Sequence, residues 1–324
     1  MSGVVERVRR HIPGASEPVL LEPGEGADGV RHADPVGLSA WDRVKLARHN
    51  ERPHAMEYLA ELTTDLVELH GDRSFGDDAA IIGGLAQLGG RTVLVLGHQK
   101  GRDTRENIAR NFGMVRPEGY RKAERLMRHA EKFGIPVVSL IDTPGAEPGI
   151  GSEERGQGTA IAESLLTMSG LRTPTIAVVI GEGGSGGALA IGMADRMLIL
   201  ENAVYAVASP EACAAILWKD SARAPEAAAT MRVTALDLYG FGLMDEIVPE
   251  PVPAHERPRD VIRATGAVIR RHLAELTALV DEPDGMERLL VARYDKFRRM
   301  GEWIDPQHDV VVGNGRHDDE MNVT

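Results

Sequence analysis

The sequence predicts an α/β fold in which buried strands alternate with helices. Two apolar runs, IPVVSLID from residue 135 and TIAVVIG from residue 175, are each followed by a glycine-rich loop and a helical pattern. Strands that are apolar throughout are typical of a sheet covered by helices on both faces. Because the strand–loop–helix unit occurs twice, around residues 135–170 and 175–196, the sequence also indicates a stack of β–β–α units.

Residues 1–50 are expected to form an N-terminal arm that is partly irregular. The stretch from Pro13 to Pro35 contains many prolines and glycines and has little periodicity, which is typical of a loop. After Pro53, leucines recur every three or four residues, and this spacing predicts a helix. The leucines of that helix are Leu59, Leu62, Leu66 and Leu69.

Residues 51–252 are expected to form the core of the fold. Two strands, AIIGGLAQL and TVLVLGHQ, precede a helix with one apolar face. That face consists of Tyr120, Ala123, Met127 and Ala130. After the two repeated units come the strands MLILE and AVYAVA. Ser209, Pro210 and Glu211 then predict the start of a helix, because they supply a cap, a first-turn proline and an acid at the positive helix end.

The chain beyond residue 252 is predicted to be helical and then disordered. Residues 253–305 have apolar residues at helical spacing in two stretches, which the sequence DEPDG separates. Residues 306–324 are polar and lack this periodicity. We therefore expect C-terminal helices over 253–305 and a disordered tail over 306–324.

Composition excludes several classes of protein. The net charge of −12 disfavours a general nucleic-acid binder. No stretch approaches the ~18 consecutive apolar residues of a membrane helix, and the charged N-terminal residues do not resemble a secretory signal. The one cysteine, Cys213, excludes a disulfide framework and a multi-cysteine zinc site in this chain, so no bound metal is expected. These features predict a cytoplasmic protein.

The loop VIGEGGSGGA, residues 179–188, matches two short functional motifs. Gly181, Gly183 and Gly186 have the spacing of a dinucleotide fingerprint, and Glu201 follows about 20 residues on. Against this interpretation, the following helix is predicted to be short and no second nucleotide-binding half is evident.

The same loop also has the spacing of a nucleophile elbow, which would make Ser185 an acyl acceptor. A triad would then need a downstream acid and histidine, and the histidine candidates are His255 and His272. Both histidines lie in the predicted C-terminal helical region, outside any strand-end context. This interpretation therefore has little support from the surrounding sequence.

A third interpretation treats the loop as an oxyanion hole. Consecutive glycines at the start of a helix expose backbone N–H groups that a ligand oxygen can approach without a Cβ in the way. Such a site suits chemistry in which a carbonyl becomes an enolate, and it needs no nucleophilic side chain. A fourth possibility is that the glycines only permit close packing of strand against helix. The loop by itself does not choose among these four.

Four longer motifs resemble a known family. In order they are GHQKGRDTRENIARNFGMVRPEGYRKAERLM, IDTPGAEPGIGSEERGQGTAIA, VIGEGGSGGALAIG and SPEACAAILWK. Together they resemble the α-subunit family of the bacterial acetyl-CoA carboxylase carboxyltransferase. The resemblance extends from about Leu46 to Pro251 and continues more weakly through the C-terminal helices.

The resemblance implies a crotonase-like fold, a superhelix of stacked β–β–α units with added N- and C-terminal helices. It implies an enzyme that transfers the carboxyl group of carboxybiotin, on a biotin carboxyl carrier protein, to the coenzyme A thioester acetyl-CoA and so makes malonyl-CoA for fatty acid synthesis. The implied partners are a zinc-ribbon carboxyltransferase β subunit in an α2β2 heterotetramer, the carrier protein and biotin carboxylase. Activity is expected only with the β subunit.

Carried over to the matching positions, the resemblance also implies the site. The backbone amides of Gly186 and Gly187 would form the oxyanion hole for the biotin enolate. The residues expected to line the biotin site are Gly145, Gly149, Gly183, Gly184 and Ala188.

The segment from His98 to Lys132 contains ten basic and five acidic residues, an excess of five positive charges in a chain of net charge −12. Such a cluster can bind the phosphates of coenzyme A or steer an acidic carrier protein. The candidates for this role are Lys100, Arg102, Arg105, Arg121 and Lys122. The alternative is a solvated helix face with ion pairs such as Glu118–Lys122.

One departure from the family pattern concerns the loop beside the expected biotin site. Family members commonly have an aromatic residue where this chain has Glu147. An inward-pointing carboxylate there would repel a carboxylated ligand. Two alternatives therefore stay open: a related carboxyltransferase for another acyl-CoA, and a scaffold subunit without catalysis.

Overall fold

The computed structural model describes residues 37–305 and 310–313. Its centre is an eight-stranded sheet in the order β1-β2-β3-β4-β5-β6-β8, with β7 paired to β5. The strands of this sheet are Thr64–Glu68 (β1), Ile81–Leu88 (β2), Arg91–His98 (β3), Val137–Thr143 (β4), Thr175–Gly184 (β5), Arg196–Leu200 (β6), Val204–Ala206 (β7) and Glu246–Val248 (β8). Strands β1, β2 and β3 pair antiparallel, and the pairs from β3 onward are parallel.

Helices connect and cover these strands. The described α-helices are Ala40–Ala47, Ala55–Leu62, Thr104–Ala109, Pro117–Lys132, Ile150–Glu154, Gln157–Gly170, Ser185–Leu189, Pro210–Trp218, Ala224–Met231, Ala235–Gly240, Pro258–Val280 and Gly285–Arg299. Short 3₁₀ turns occur at Asn111–Gly113 and Ser221–Arg223.

The apolar runs of the sequence form the middle of the sheet, as predicted. Every residue of β4 is buried, and so is β5 up to its last glycine. The helix Pro117–Lys132 contacts β2 and β3 and packs against the helix Gln157–Gly170. Its predicted apolar face is confirmed, since Tyr120, Ala123, Met127 and Ala130 are all fully buried. The sheet and most of its helices thus share a main hydrophobic core, which fixes the strand ends where the site is built. A second, smaller cluster joins the helix Ala40–Ala47, β7 and the helix Ala224–Met231.

The helix predicted after Pro53 is shorter than its leucine spacing suggested. It ends at Leu62, and Leu66 lies in β1 while Leu69 follows that strand. Thr63 takes extended backbone angles, its hydroxyl donates to the Leu59 carbonyl at 2.7 Å, and Thr64 begins the pairing with β2. Two adjacent β-branched residues favour a strand here, and pairing with β2 overrides the leucine pattern.

Both ends of the described chain contain more structure than predicted. The helix Ala40–Ala47 lies within the expected irregular arm and is capped by Ser39 through a capping box with Asp42. The proline-rich stretch 13–35 lies outside the described residues. The strands Glu302–Asp305 (β9) and Val310–Gly313 (β10) pair antiparallel, so the prediction of a disordered tail is wrong for residues 310–313. The rest of that tail lies outside the described residues.

Candidate active site

Two glycine-rich loops lie side by side at one edge of the sheet. They lie at the carboxyl ends of β4 and β5, which are adjacent and parallel, and the pairing reaches from Thr143 to Gly183. The first four residues of GEGGSGG end β5 and the last three begin the helix Ser185–Leu189, so this loop is a direct strand-to-helix turn. Carboxyl ends of neighbouring parallel strands are where open α/β sheets bind ligands. The structure therefore brings together the loop that begins DTPG and the loop GEGGSGG, which the sequence had identified separately.

Glycine is required where these loops touch. A Cβ on Gly184 would overlap the Pro144 carbonyl, and a Cβ on Gly187 would lie 2.5 Å from the Ala146 nitrogen. Gly145 has a φ of +151°, a region that side chains disfavour. These glycines thus allow backbone to pack on backbone, which is the packing role that the sequence left open for them.

Gly186 differs from its neighbours because it has room. A Cβ built on it would meet nothing closer than Ile161 at 3.6 Å, and the residue is only half-buried. Gly186 and Gly187 belong to the first turn of the helix Ser185–Leu189, so their amides have no acceptor within the helix. The helix starts three residues earlier than the predicted run ALAIGMA and has only five residues. Any anion there would be held by the amides themselves rather than by a long helix dipole.

The dinucleotide interpretation of this loop is wrong. The space beside Gly181 is occupied by the Asp142 carboxylate, and the space beside Gly183 by the Tyr205 ring. Glu201 accepts a hydrogen bond from the Glu250 amide at 2.8 Å rather than standing free for a ribose. These glycines therefore make room for the protein's own side chains and leave none for a pyrophosphate.

The backbone does resemble a nucleophile elbow, but the described residues supply no triad. Ser185 has a strained φ of +51° and is exposed. His255 stacks on His49 with ring centroids 3.8 Å apart, and the His272 Nε2 lies 2.8 Å from the Glu246 carboxylate. Both candidate histidines are thus engaged with other residues, and no described histidine is hydrogen-bonded to Ser185.

Glu147 is folded back onto its own loop. Its Oε1 accepts a hydrogen bond from the Gly149 amide at 3.0 Å, and Gly149 caps the helix Ile150–Glu154. The Glu147 amide in turn donates to the Val115 carbonyl at 3.0 Å. The carboxylate is therefore bonded within its own loop, which weakens the concern that it repels a ligand.

A buried ion network lies directly beneath the two loops, and sequence reasoning missed it. The Lys100 ammonium donates to Asp142 Oδ1 at 2.7 Å and to Glu182 Oε1 at 2.9 Å. On its outer side Glu182 accepts from Arg48 Nε at 2.7 Å, and another Arg48 nitrogen bonds Glu211 at 2.6 Å. Lys100, which the sequence had assigned to coenzyme A or carrier binding, thus points into the protein.

The charges of this network stabilise one another. Burial acts to raise the pKa of Asp142, but the Lys100 ammonium, together with His54 and the Glu182 amide, holds that pKa below its usual value. Burial acts to lower the pKa of Lys100, yet Asp142 and Glu182 hold it above the usual value. The ammonium and the Asp142 carboxylate therefore both stay charged at neutral pH.

Two further basic candidates are also paired inside the chain. Lys122, whose side chain is 1 % exposed, donates to Asp77 at 2.6 Å, so the expected Glu118–Lys122 pair does not form. Arg121 bonds the Asp72 carboxylate at 2.8 Å. Neither side chain faces outward to bind a phosphate, and the basic segment does not form the patch that its composition suggested.

Arg102 and Arg105 are the candidates that keep an exposed position. Arg102 donates to the backbone carbonyls of Asn50 and Arg52, each at 2.9 Å, and pairs with Glu57, yet its side chain is 37 % exposed. Arg105 is exposed and forms no ion pair with another described residue. Both lie in or next to the helix Thr104–Ala109, close in sequence to Lys100.

The described residues also bear on metal sites and membrane spans. No group of three or more histidine, cysteine or acidic side chains is arranged there to hold a metal ion. In the same part of the chain, no helix combines the length and hydropathy that a membrane span requires.

Comparison with known proteins gives consistent results. Residues 31–301 match the family described as acetyl co-enzyme A carboxylase carboxyltransferase-like. A protein of Geobacter metallireducens named acetyl-coenzyme A carboxylase carboxyl transferase subunit alpha is 51 % identical over 291 residues, which cover 90 % of this chain and 89 % of the relative. A protein of the same name from Deinococcus radiodurans is 52 % identical over 302 residues, or 93 % of each chain.

Solved structures confirm the fold. A chain of a Pseudomonas malonate decarboxylase hetero-tetramer, solved in complex with coenzyme A, superposes with a TM-score of 0.54 over 68 % of this chain and 86 % of that one, at 21 % identity. At that identity the likeness shows the fold alone. It is the crotonase-like fold that the sequence motifs implied.

Proposed function

The chain belongs to the acetyl-CoA carboxylase carboxyltransferase-like family, and from this premise we propose that it acts as the α subunit of an acetyl-CoA carboxyltransferase. The reaction moves the carboxyl group of carboxybiotin to acetyl-CoA and gives malonyl-CoA. The observation that carries the proposal within this chain is the contact between the two glycine loops, which leaves Gly186 as a half-buried, uncrowded position at the strand ends.

The backbone of this site suits a carbonyl oxygen that gains negative charge. When bound, carrier-linked biotin supplies the carboxyl group to be transferred. The amides of Gly186 and Gly187 would donate hydrogen bonds to the ligand's carbonyl oxygen, and these bonds strengthen as charge grows on that oxygen. Each such donor is worth on the order of 10²–10³ in rate in enzymes generally. Gly145 and Gly184 would hold the two loops at contact distance. Gly149, Gly183 and Ala188 stay in the proposal as residues that line the biotin site.

We place the coenzyme A and carrier interactions only on exposed basic residues. Arg102 and Arg105 keep this role, whereas Lys100, Arg121 and Lys122 are neutralised by acids of the same chain. A separate partner subunit is part of the proposal, since the relatives are named as the alpha subunit of a carboxyl transferase. That partner would be the zinc-ribbon β subunit of an α2β2 heterotetramer, working with the biotin carrier protein and biotin carboxylase in the cytoplasm.

Exposed apolar side chains support a partner of this kind. Val207 is 80 % exposed, and Ile216 and Leu217, on the nearby helix Pro210–Trp218, are more than 60 % exposed. Large exposed apolar side chains are what a protein partner would cover. In the proposal, that partner supplies the other half of the active site.

The reverse reaction tests the proposal. Malonyl-CoA and free biotin are incubated with this chain, with the zinc-ribbon subunit, and with both. Carboxyl transfer to biotin is expected only when both chains are present. Turnover by this chain alone would refute the split site, and no turnover by the pair with malonyl-CoA or methylmalonyl-CoA would favour a scaffold role.

A further inference from the structure

We propose that Lys100 is a positioning residue that fixes the two glycine loops relative to each other and thereby aligns the amides of Gly186 and Gly187. The inference rests on the proposed function for its catalytic consequence, but its structural part stands on contacts of this chain alone. Three groups of observations support it.

The first is the place of the two carboxylates that Lys100 binds. Asp142 is the residue before the last of β4, and Glu182 lies two residues before the end of β5. Each therefore stands at the base of one of the two loops. One ammonium joins them at 2.7 and 2.9 Å, and the Glu182 amide also donates to Asp142 at 3.1 Å. A shift of one loop against the other would break at least one of these bonds.

The second is the burial of the three side chains that form this ion bridge. The side chains of Lys100, Asp142 and Glu182 are 15 %, 3 % and 11 % exposed. Water screens such a bridge poorly, so the ammonium holds two carboxylates that would otherwise repel each other. An ion bridge with this degree of burial constrains geometry far more than a surface pair does.

The third is the set of contacts that holds the backbone and the stem of Lys100 in place. The backbone of the next residue, Gly101, exchanges two hydrogen bonds with the Asn107 side chain, at 3.0 and 3.1 Å. The stem of Lys100 lies under Gly113, where an added Cβ would be 3.0 Å from Lys100 Cγ and 3.2 Å from the Asp142 carbonyl.

The turn that covers this stem is strained. Asn111, Phe112 and Gly113 have consecutive φ values of +45°, +54° and +76°. For Phe112 this left-handed conformation is unfavourable, because its Cβ crowds the backbone, whereas asparagine tolerates it better. Strain of this kind persists only where the surrounding structure imposes it. Here the turn closes over the lysine that joins the two loops.

The test compares two buried lysines within the assembled complex. Lys100→Met removes the bridge. Lys296→Met is the matched control, because the Lys296 side chain is also 15 % exposed and pairs with a carboxylate, Asp245, but lies on the C-terminal helix Gly285–Arg299. Amide hydrogen exchange is followed in peptides that cover residues 141–150 and 181–190, and carboxyl transfer is measured with the partner subunit.

Lys100→Met is expected to speed exchange in both loops and to lower kcat by about 10²-fold, as displacements of about 1 Å do at active sites, with KM for malonyl-CoA nearly unchanged. Lys296→Met is expected to leave loop exchange and kcat near wild type. Wild-type loop exchange and kcat in Lys100→Met would overturn the proposal, and so would equal losses in both variants.

Two results would call for a further measurement: a Lys100→Met variant that does not fold, and a wild-type complex without carboxyl transfer. Should Lys100→Met not fold, Lys100→Gln is measured in the same way, since its amide retains two N–H donors but not the charge. Should the wild-type complex show no carboxyl transfer, the proposed function fails. Loop exchange in the variants then still decides whether Lys100 fixes the loops.

Discussion

A buried arginine anchors the C-terminal helix Gly285–Arg299 to the core, and its removal is expected to destabilise the chain strongly. The Arg293 side chain is 1 % exposed and bonds both oxygens of Asp195, at 2.7 and 2.8 Å. It also donates to the backbone carbonyls of Met168, Leu171 and Thr173, at 3.0, 2.7 and 3.1 Å. Every one of these acceptors would lose a partner in Arg293→Met.

The loss of stability in Arg293→Met follows from the carboxylate that the variant leaves without its partner. Asp195 would retain its bonds from the amide and hydroxyl of Thr175, at 2.7 and 2.8 Å, but its charge would be buried without a counter-ion. Breaking a buried pair in this way costs about 3–5 kcal/mol. Urea titration of the full chain, followed by circular dichroism, measures the loss in free energy of unfolding.

A second arginine supplies the control. Arg172, between Leu171 and Thr173, pairs with Glu287 of the same helix at 2.6 Å, but the two side chains are 52 % and 49 % exposed. Solvent screens such a pair, so Arg172→Met is expected to cost less than about 1 kcal/mol. Equal losses in the two variants, or a loss below about 1 kcal/mol in Arg293→Met, would refute the reasoning.

Three further predictions concern the site. Gly187→Ala should lower the free energy of unfolding by about 1–3 kcal/mol, because its Cβ would lie 2.5 Å from backbone. Gly186→Ala should instead raise the free energy of unfolding by up to about 1 kcal/mol. Urea titration of both variants checks that Gly187→Ala is the less stable one. Burial lowers the pKa of His98 to about 4, so the unfolded chain takes up a proton first as the pH falls below about 6.5. Protonation of His98 in the unfolded chain should then lower the free energy of unfolding by about 2 kcal/mol from pH 7 to pH 5. If His98→Gln showed the same pH dependence of stability as wild type, the effect could not come from His98. Glu147→Gln keeps the acceptor for the Gly149 amide, so kcat/KM should change less than about threefold, whereas a tenfold rise would show that the charge faces the ligand.

The parts of the fold that the sequence predicts well are those that local pattern determines. Strands β4 and β5 were predicted because they are apolar on both faces, which only a covered sheet allows. The helix after Ser209 begins as predicted, with the Ser209 hydroxyl accepting from the Ala212 amide at 3.1 Å. In such cases the determining contacts lie within a few residues along the chain.

The parts that sequence reasoning missed depend on distant partners. Lys100 meets acids 42 and 82 residues away, and Lys122 meets Asp77 45 residues away rather than Glu118 four residues away. No spacing rule connects such positions, so a basic segment was interpreted as a surface patch. The short motifs likewise allow several roles for Gly181, and only the structure shows that the Asp142 carboxylate fills the space beside it.

The central claim is that this chain supplies the glycine-lined, biotin-binding half of a shared active site. Photolabelling tests it most directly: the complex with the partner subunit is irradiated with a biotin derivative that carries a diazirine, and labelled peptides are identified by mass spectrometry. The account predicts labels within residues 144–149 and 183–188 of this chain, suppressed by excess biotin. Labels confined to the partner subunit, or to parts of this chain away from both loops, would contradict it.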